Sequence, residues 1–396
     1  MAKNNLIVLS DHYLTFIKDQ VEILSAQFES ITVFIPYNPL TELSCYIPVG
    51  NVKQFRKKNL VDPVGIPDNI HIQMIPLIYP PVRFQTSSFG DRYFHEVDAR
   101  IKKMELPFDL IHAHFTWPAG YAGARLKETY RVPLVVTAHG YDIYDLPFRD
   151  NRWNRQITEV LNSADHIITV SGKNRECIHR LDVRTPVSVI PNGFNKNLFF
   201  PGNAVECRKN LGLPSDKKIL LSVGNLVKEK GYSYLVESLA DSVQDGIPFH
   251  CYLIGRGPLA RTLEREVHRA RLDEYITLAG GRPHNEIPAW INACDAFVLP
   301  SLMEGNPTVM FECLGCGRPF VGTRVGGIPE VIDSDDYGLL AEPKNTAQLS
   351  RAIRSALVKD WNPGAIAAYA EKFSWENICQ QIYSIYQSVE YRDPGL

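Results

Sequence analysis

Glu304 and Glu312 are two carboxylates in one short segment, PSLMEGNPTVMFECLGCGRPFVGTRVGGIPEVI (residues 300–332), with Asn306 and Pro307 between them. An Asn side chain caps a helix by accepting from a free N–H of the first turn. Pro suits the first helical position, where its missing N–H would have been an orphan anyway. The pattern therefore predicts a helix that opens at Pro307, capped by Asn306, with Glu304 just before it and Glu312 inside it. Eight residues of helix cover about 12 Å, so the two carboxylates cannot act on one bond, but they can hold two parts of one long ligand. The helix start offers N–H groups and a positive dipole end to an anion lying between them. A nucleotide sugar has this layout: sugar hydroxyls, a diphosphate, then ribose hydroxyls.

Three further groups fit such a ligand. Lys230 and Gly231 follow a predicted strand ending at Gly224, and a mobile cation beside a helix start suits a diphosphate that gains charge as it leaves. His139 ends the strand PLVVTAH before Gly140, where a neutral imidazole can hydrogen-bond a sugar hydroxyl. Gly326 and Gly327 mark another strand-to-helix turn, which serves a tight turn or a close ligand approach equally well. His112 and His114 share one face of a predicted strand by period-2 alternation. Packing is the plainer reading of that pair, substrate contact the next, and a metal pair the least, because no acidic or histidine cluster elsewhere completes a ligand set. Asp333-Ser334-Asp335 reads as an acidic surface turn and not as a cation site. Arg56, Lys57 and Lys58, beside Phe55 and Leu60, read as solvated surface or as a contact for anionic headgroups.

Stacked βαβ units must position these groups, since short β-branched runs alternate with amphipathic stretches. Strands are expected over 5–10, 31–37, 70–76, 109–115, 133–139, 166–171 and 186–191. Helical periodicity covers 14–27, 94–104, 119–130, 154–161 and 173–181. The pattern restarts with strands over 219–224, 249–254, 275–279, 296–300, 319–323 and 338–341, and helices from 232 and over 346–358. Residues 38–68 and 78–92 look like long loops. The break falls in PNGFNKNLFFP (191–201), and a helix over 373–389 carries an extra apolar face suited to docking on the first half. The expected fold class is α/β, two doubly wound parallel sheets, with ligands at the carboxyl ends of strands in a cleft between domains.

At 396 residues the chain is too long for one ordinary core. A net charge of −2 gives no reason to expect nucleic acid. No apolar run reaches the roughly 18–20 residues of a membrane span, and the stretch 5–10 reads as a strand and not a signal peptide. Only Cys313 and Cys316 of the eight cysteines are close, with no second pair at zinc-ribbon spacing; buried thiols in a reducing cytoplasm are expected.

With these residues in hand, the chain resembles glycosyltransferase family 4, retaining enzymes of GT-B fold. The segments IHAHFTWPAGYAGARL, VTAHGYDIY, ADHIITVSG, VIPNGF, SVGNLVKEKG, LIGRGPL, the 300–332 segment and FSWENI carry the resemblance in this order. The first looks like the subgroup that builds cell-envelope polysaccharides such as teichuronic acid. The resemblance implies an acceptor-binding domain over 1–192 with a returning helix over 376–396, and a donor-binding domain over 193–375. It implies that Glu304 contacts the donor sugar, Glu312 the ribose, Lys230 the diphosphate, and His139 the sugar from the first domain. Backbone groups from Asn306 through Thr308 to Val309 would meet sugar and phosphate oxygens, beside Gly224 and Asn225, and Gly281, Arg282 and Pro283 would recognise the base. His12, Tyr13, His114 and Trp117 are candidate acceptor contacts. No metal or other cofactor is implied. A UDP-sugar is favoured over GDP-mannose as donor, with a saccharide or lipid-linked acceptor, in the cytoplasm or at the cytoplasmic face of the membrane.

The chain departs from the family pattern in three places. Asn225 stands where an Arg is usual, so Lys230 acts alone or with Arg282 or Arg256. The first loop, SDHYLTFIK, lacks the usual Gly pair, and Cys313 replaces a common Ala. A sugar-nucleotide epimerase of the same architecture and an inactive nucleotide-sugar-binding protein are the alternative readings.

Overall fold

The computed structural model describes residues 4–45, 56–78, 87–243 and 247–390. The chain divides into two units, Met1–Pro191 with Ile378–Leu396, and Asn192–Asn377. The first holds seven strands: β1 (Asn5–Leu9), β2 (Ser30–Tyr37), β3 (Ile70–Pro76), β4 (Leu110–His114), β5 (Leu134–Ala138), β6 (His166–Thr169) and β7 (Val187–Val189). All pair in parallel, in the order β3-β2-β1-β4-β5-β6-β7. The order reverses between β1 and β4, the switch point at which doubly wound sheets place ligands. β5 is buried at every position, so it reads as a near-continuous apolar run and not as an alternating one. His114 pairs with Thr137 in register, and the rings of His112 and His114 lie 4.3 Å apart on one face of β4.

The helix Trp375–Glu390 contributes its later turns to the first unit. Tyr386 is fully buried there, and Tyr383 sets its ring edge-on against Phe28. That is the extra apolar face visible in the sequence. Residues 391–396 of the expected returning segment lie outside the described residues.

The second unit repeats the plan with β8 (Lys218–Val223), β9 (Phe249–Ile254), β10 (Ile276–Gly280), β11 (Ala296–Leu299), β12 (Phe320–Thr323) and β13 (Gly338–Ala341). These are also parallel, in the order β10-β9-β8-β11-β12-β13. Here β8 and β11 flank the switch point. The loop that carries Lys230 follows β8 and the loop that carries Glu304 follows β11. Their neighbouring strands bring together residues that are distant in sequence.

Two expectations need correction. Residues 87–92 are not loop: they open the helix Ser87–Met104. Phe89 and Tyr93 of its first turns are core residues, and Gly90 lets it approach Trp117, whose indole would lie 2.5 Å from an added Cβ. Residues 79–86 of that stretch lie outside the described residues. Within 38–68, the tight helical turns Pro39–Cys45 and Lys57–Asn59 and a parallel bridge between Tyr13 and Val61 replace the expected loop; residues 46–55, including Phe55, lie outside the described residues. The helices Ala204–Leu211 and Pro363–Ala370 are additional, each capped by an Asn side chain, Asn203 and Asn362.

Candidate functional site

In the second unit Lys230 Nζ donates to Glu304 Oε1 at 2.6 Å, and Ser301 Oγ donates to the same oxygen at 2.6 Å. Glycines make the approach possible. Gly231 adopts φ +65°, and a Cβ there would stand 2.1 Å from the carbonyl oxygen of Pro300. Gly326 adopts φ +54° against the carbonyl of Glu304, and Gly327 N–H donates to Gly305 O at 2.8 Å. The VGG turn is thus the back wall of the Glu304 loop.

The helix after this loop runs Thr308–Gly315, with Pro307 at its cap position and no side-chain cap. Asn306 does not cap it. Its side-chain oxygen accepts from Asn192 N–H at 3.2 Å, and its carbonyl accepts from the Asn192 amide at 2.7 Å. Buried pairing with Asn192 outcompetes capping, and the first-turn N–H groups around Thr308 and Val309 are left without a capping side chain, as an anion site requires. Glu312, buried inside the helix, accepts from His284 Nε2 at 2.9 Å. Pro283 precedes the turn His284–Glu286. Gly281 lies against the Arg256 side chain, and the Arg282 guanidinium lies 5.6 Å over the Trp290 ring. Gly224 N–H donates to Ile254 O, and the Asn225 carbonyl closes a turn by accepting from Val227 N–H.

In the first unit, imidazoles gather at the carboxyl ends of β4 and β5. His114 Nδ1 and His139 Nε2 share a hydrogen bond of 3.0 Å with the rings stacked. His112 bonds Thr137 Oγ1 through Nε2 and the Tyr386 hydroxyl through Nδ1, each at 2.7 Å. His12 packs edge-on against Phe16 and Phe115. Buried nitrogens Nδ1 of His12, Nε2 of His114 and Nδ1 of His139 have no hydrogen-bond partner among the described residues. Asp142, fully buried, accepts from the backbone N–H of Thr116, His139 and Gly140 at 2.7–3.1 Å. One carboxylate therefore pins the loops that follow both strands.

Burial holds His112 down to about 3, and His114 and His139 well below the ordinary imidazole range. An imidazole kept neutral when folded contributes stability that is present above its unfolded pKa of 6.5 and is lost as pH falls, at about 1.4 kcal/mol per pH unit. Asp142, pushed up by burial to about 6, and Glu22, pushed up to about 7, act oppositely: each loses its contribution as pH rises from its ordinary value. Of these five, three groups oppose two. The melting temperature should fall as pH drops below about 6.5, and more steeply below about 3.8, where both carboxyls are protonated in both states. His112→Gln, which takes up no proton, should flatten the slope by about one increment; an unchanged slope would contradict this account.

Residues 62–198 match the sequence profile described as Glycosyltransferase Family 4, and residues 203–373 match that of Glycosyl transferases group 1. The chain belongs to the family 4 glycosyltransferases. TuaC of Bacillus subtilis, named as a teichuronic acid biosynthesis glycosyltransferase, is 34% identical over 66% of this chain. The match spans just under two thirds of TuaC, 65% of its length. A Methanocaldococcus jannaschii glycosyltransferase is 29% identical over 71% of this chain and 76% of its own. Among solved structures, sucrose-phosphate synthase of Thermosynechococcus elongatus superposes with a TM-score of 0.78 at 22% identity, covering 98% of this chain and 99% of that one. HepE of Anabaena, solved with UDP, gives 0.74 at 20% identity, over 97% and 100%. These likenesses establish the GT-B fold.

Two of the candidate acceptor residues are packed into the first unit. Trp117 is 2% exposed, with its ring tilted against Tyr121 and edge-on to Trp153. Tyr13 is fully buried and bridges to Val61 through its backbone. Lys18, in the helix Thr15–Leu24 that follows, is also committed, donating to Asp62 at 2.7 Å. His12 and His114 remain beside His139. The acidic turn is tied down, since Asp333 accepts from the Tyr369 hydroxyl and the carbonyl of Asp335 from Lys359. Among the described residues no group of three His, Cys, Asp or Glu is placed to hold a metal ion, and no helix is long and apolar enough to cross a membrane. In the basic run, Lys57 lies over the Tyr37 ring and its N–H donates to Glu42. Sequence reasoning missed Ser301, His284, Asp142 and Tyr386. Of these only Asp142, three residues past His139, offered a signal in the sequence.

Proposed function

We propose that this glycosyltransferase moves a sugar from a nucleoside-diphosphate sugar, a UDP-sugar by preference, to a hydroxyl of a saccharide or lipid-linked acceptor, with retention, in polysaccharide or glycoconjugate synthesis. The observation that carries the reading is the Lys230–Glu304 pair at the ends of the neighbouring strands β8 and β11, next to a helix start without a side-chain cap and with Glu312 inside it. That sequence of groups reads cation, carboxylate, anion site, carboxylate along one ligand. The UDP of HepE and the teichuronic acid in the name of TuaC favour the donor and pathway class.

In this reading Lys230 and the N–H groups of Thr308 and Val309 take the diphosphate, and Glu304 holds the sugar hydroxyls. Glu312 holds the ribose, and the Gly281–Arg282–Pro283 turn meets the base beside Gly224 and Asn225. His139 donates to or accepts from a sugar hydroxyl, and His12 and His114 line the acceptor side. The acceptor oxygen bonds to the anomeric carbon on the face from which the diphosphate leaves, and its proton passes to a departing phosphate oxygen. Charge growing on that group is met by Lys230 and the helix N–H groups, and we assign no metal to the step. The Arg56–Lys58 run would meet anionic headgroups if the acceptor is lipid-linked.

A thermal-shift screen of UDP, GDP, ADP and their sugars tests the donor reading. UDP or a UDP-sugar should raise the melting temperature, because a ligand at 100 times its Kd adds about 2.7 kcal/mol to the folded state. No shift from any nucleotide would remove it. With the stabilising nucleotide sugar, nucleotide release should require added acceptor; isomerisation of the donor alone would mark an epimerase instead.

A further inference from the structure

His284 sits one residue past the turn assigned to the base, and its Nε2 meets Glu312 Oε1 at 2.9 Å. The Glu312 side chain is 10% exposed and that of His284 34% exposed. The imidazole also packs, tilted, against Phe199, itself in the core, with ring centroids 5.3 Å apart. An ionised carboxylate cannot donate, so Nε2 carries the proton and the bond runs from the imidazole to Glu312. One carboxylate oxygen is thereby fixed, and a three-rotor side chain is held in a single pose by a residue of another loop.

We infer that His284 is a positioning residue for Glu312 and sets the preference of the site for ribonucleotides over nucleotides that lack ribose hydroxyls. The inference rests on the reading of Glu312 as the ribose holder. A free Glu side chain would have to be ordered when the nucleotide binds; one already held by His284 has met that cost beforehand, the general gain from preorganisation. A site built to hydrogen-bond hydroxyls rejects an analogue lacking them, because its buried polar atoms are then left without those partners, and an acceptor oxygen held in place cannot turn away to find others. His284 is therefore the residue through which the turn Gly281–Pro283 and the helix Thr308–Gly315 act on one sugar ring.

Calorimetric titration of the full chain with UDP and 2′,3′-dideoxy-UDP, with the guanine pair in parallel, tests this. Wild type should prefer the ribonucleotide by about tenfold or more, and Glu312→Ala should abolish the preference. His284→Ala should weaken UDP by about tenfold while leaving dideoxy-UDP within about twofold. His284→Gln, whose amide can donate from a similar position, should restore most of the loss. Equal weakening of both nucleotides by His284→Ala, or no weakening of either, would overturn the positioning role. If Glu312→Ala keeps the preference, or wild type has none, the ribose reading itself falls and this inference goes with it.

Discussion

Lys230→Ala should lower kcat for sugar transfer by about two to three orders of magnitude, the usual loss when one group that stabilises a developing oxyanion is removed. The side chain is well placed for that role. It is 21% exposed, follows the strand β8, and is drawn toward Glu304 by a 2.6 Å ion pair. Within this pair the two charges neutralise each other. Once a donor is bound, the ammonium has a stronger partner in the diphosphate, and its pull grows as the glycosidic bond lengthens. Binding of nucleotide should weaken less than turnover, because the N–H groups at the start of Thr308–Gly315 still face the anion. Glu304→Ala should also abolish transfer with the fold intact, since besides Lys230 the carboxylate is held by one side-chain donor among the described residues, Ser301. The double variant should be little worse than either single one, as expected of residues acting as a unit. Nucleotide release with acceptor present, followed beside a melting curve for each variant, checks the set. Near-normal turnover in Glu304→Ala or Lys230→Ala from a folded protein would count heavily against the assignment.

The sequence carried the sheets better than the contacts between loops. Central strands such as β5 and β11 are buried throughout, so their apolar runs stand out whatever surrounds them. The start of Ser87–Met104 did not stand out, because Ser87, Ser88 and Gly90 have loop character by composition; only the nearness of Trp117 explains the glycine. Asn306 shows the same limit at the site. Its type and position fit a cap, yet Asn192, distant in sequence, claims it. Capping is a local rule, and it loses to a buried pairing that only the folded chain creates. Tyr13 and Trp117 are acceptor candidates only through the family resemblance; their burial is a property of the packed unit and leaves no mark on spacing. The charged pair Lys230–Glu304 was legible as two separate groups, each from its own loop, whereas their direct bond was not. His284 and Glu312 were further apart still as ideas, since nothing in GRPHNEIP points to the helix it contacts.

Gly231→Ala should be among the most damaging small changes in the second unit, and Gly212→Ala provides the control. Both glycines have φ +65°, a conformation that costs an L-residue about 1–2 kcal/mol. They differ in surroundings. A Cβ at Gly212 meets nothing within 4 Å, whereas one at Gly231 would stand 2.1 Å from Pro300 O and 3.2 Å from its carbonyl carbon. Backbone cannot swing aside as a side chain can, so either the loop after β8 or the loop after β11 must move. Either motion separates Lys230 from Glu304. Gly212→Ala should therefore cost only the backbone strain, with nucleotide affinity unchanged. Gly231→Ala should cost about 3–5 kcal/mol, strain and overpacking together, and should lose nucleotide affinity even at temperatures where the protein stays folded. Urea unfolding midpoints and UDP titrations of the two variants separate the contributions. Equal midpoints would show that the glycine serves backbone conformation alone, and that the close approach of the two loops does not depend on it.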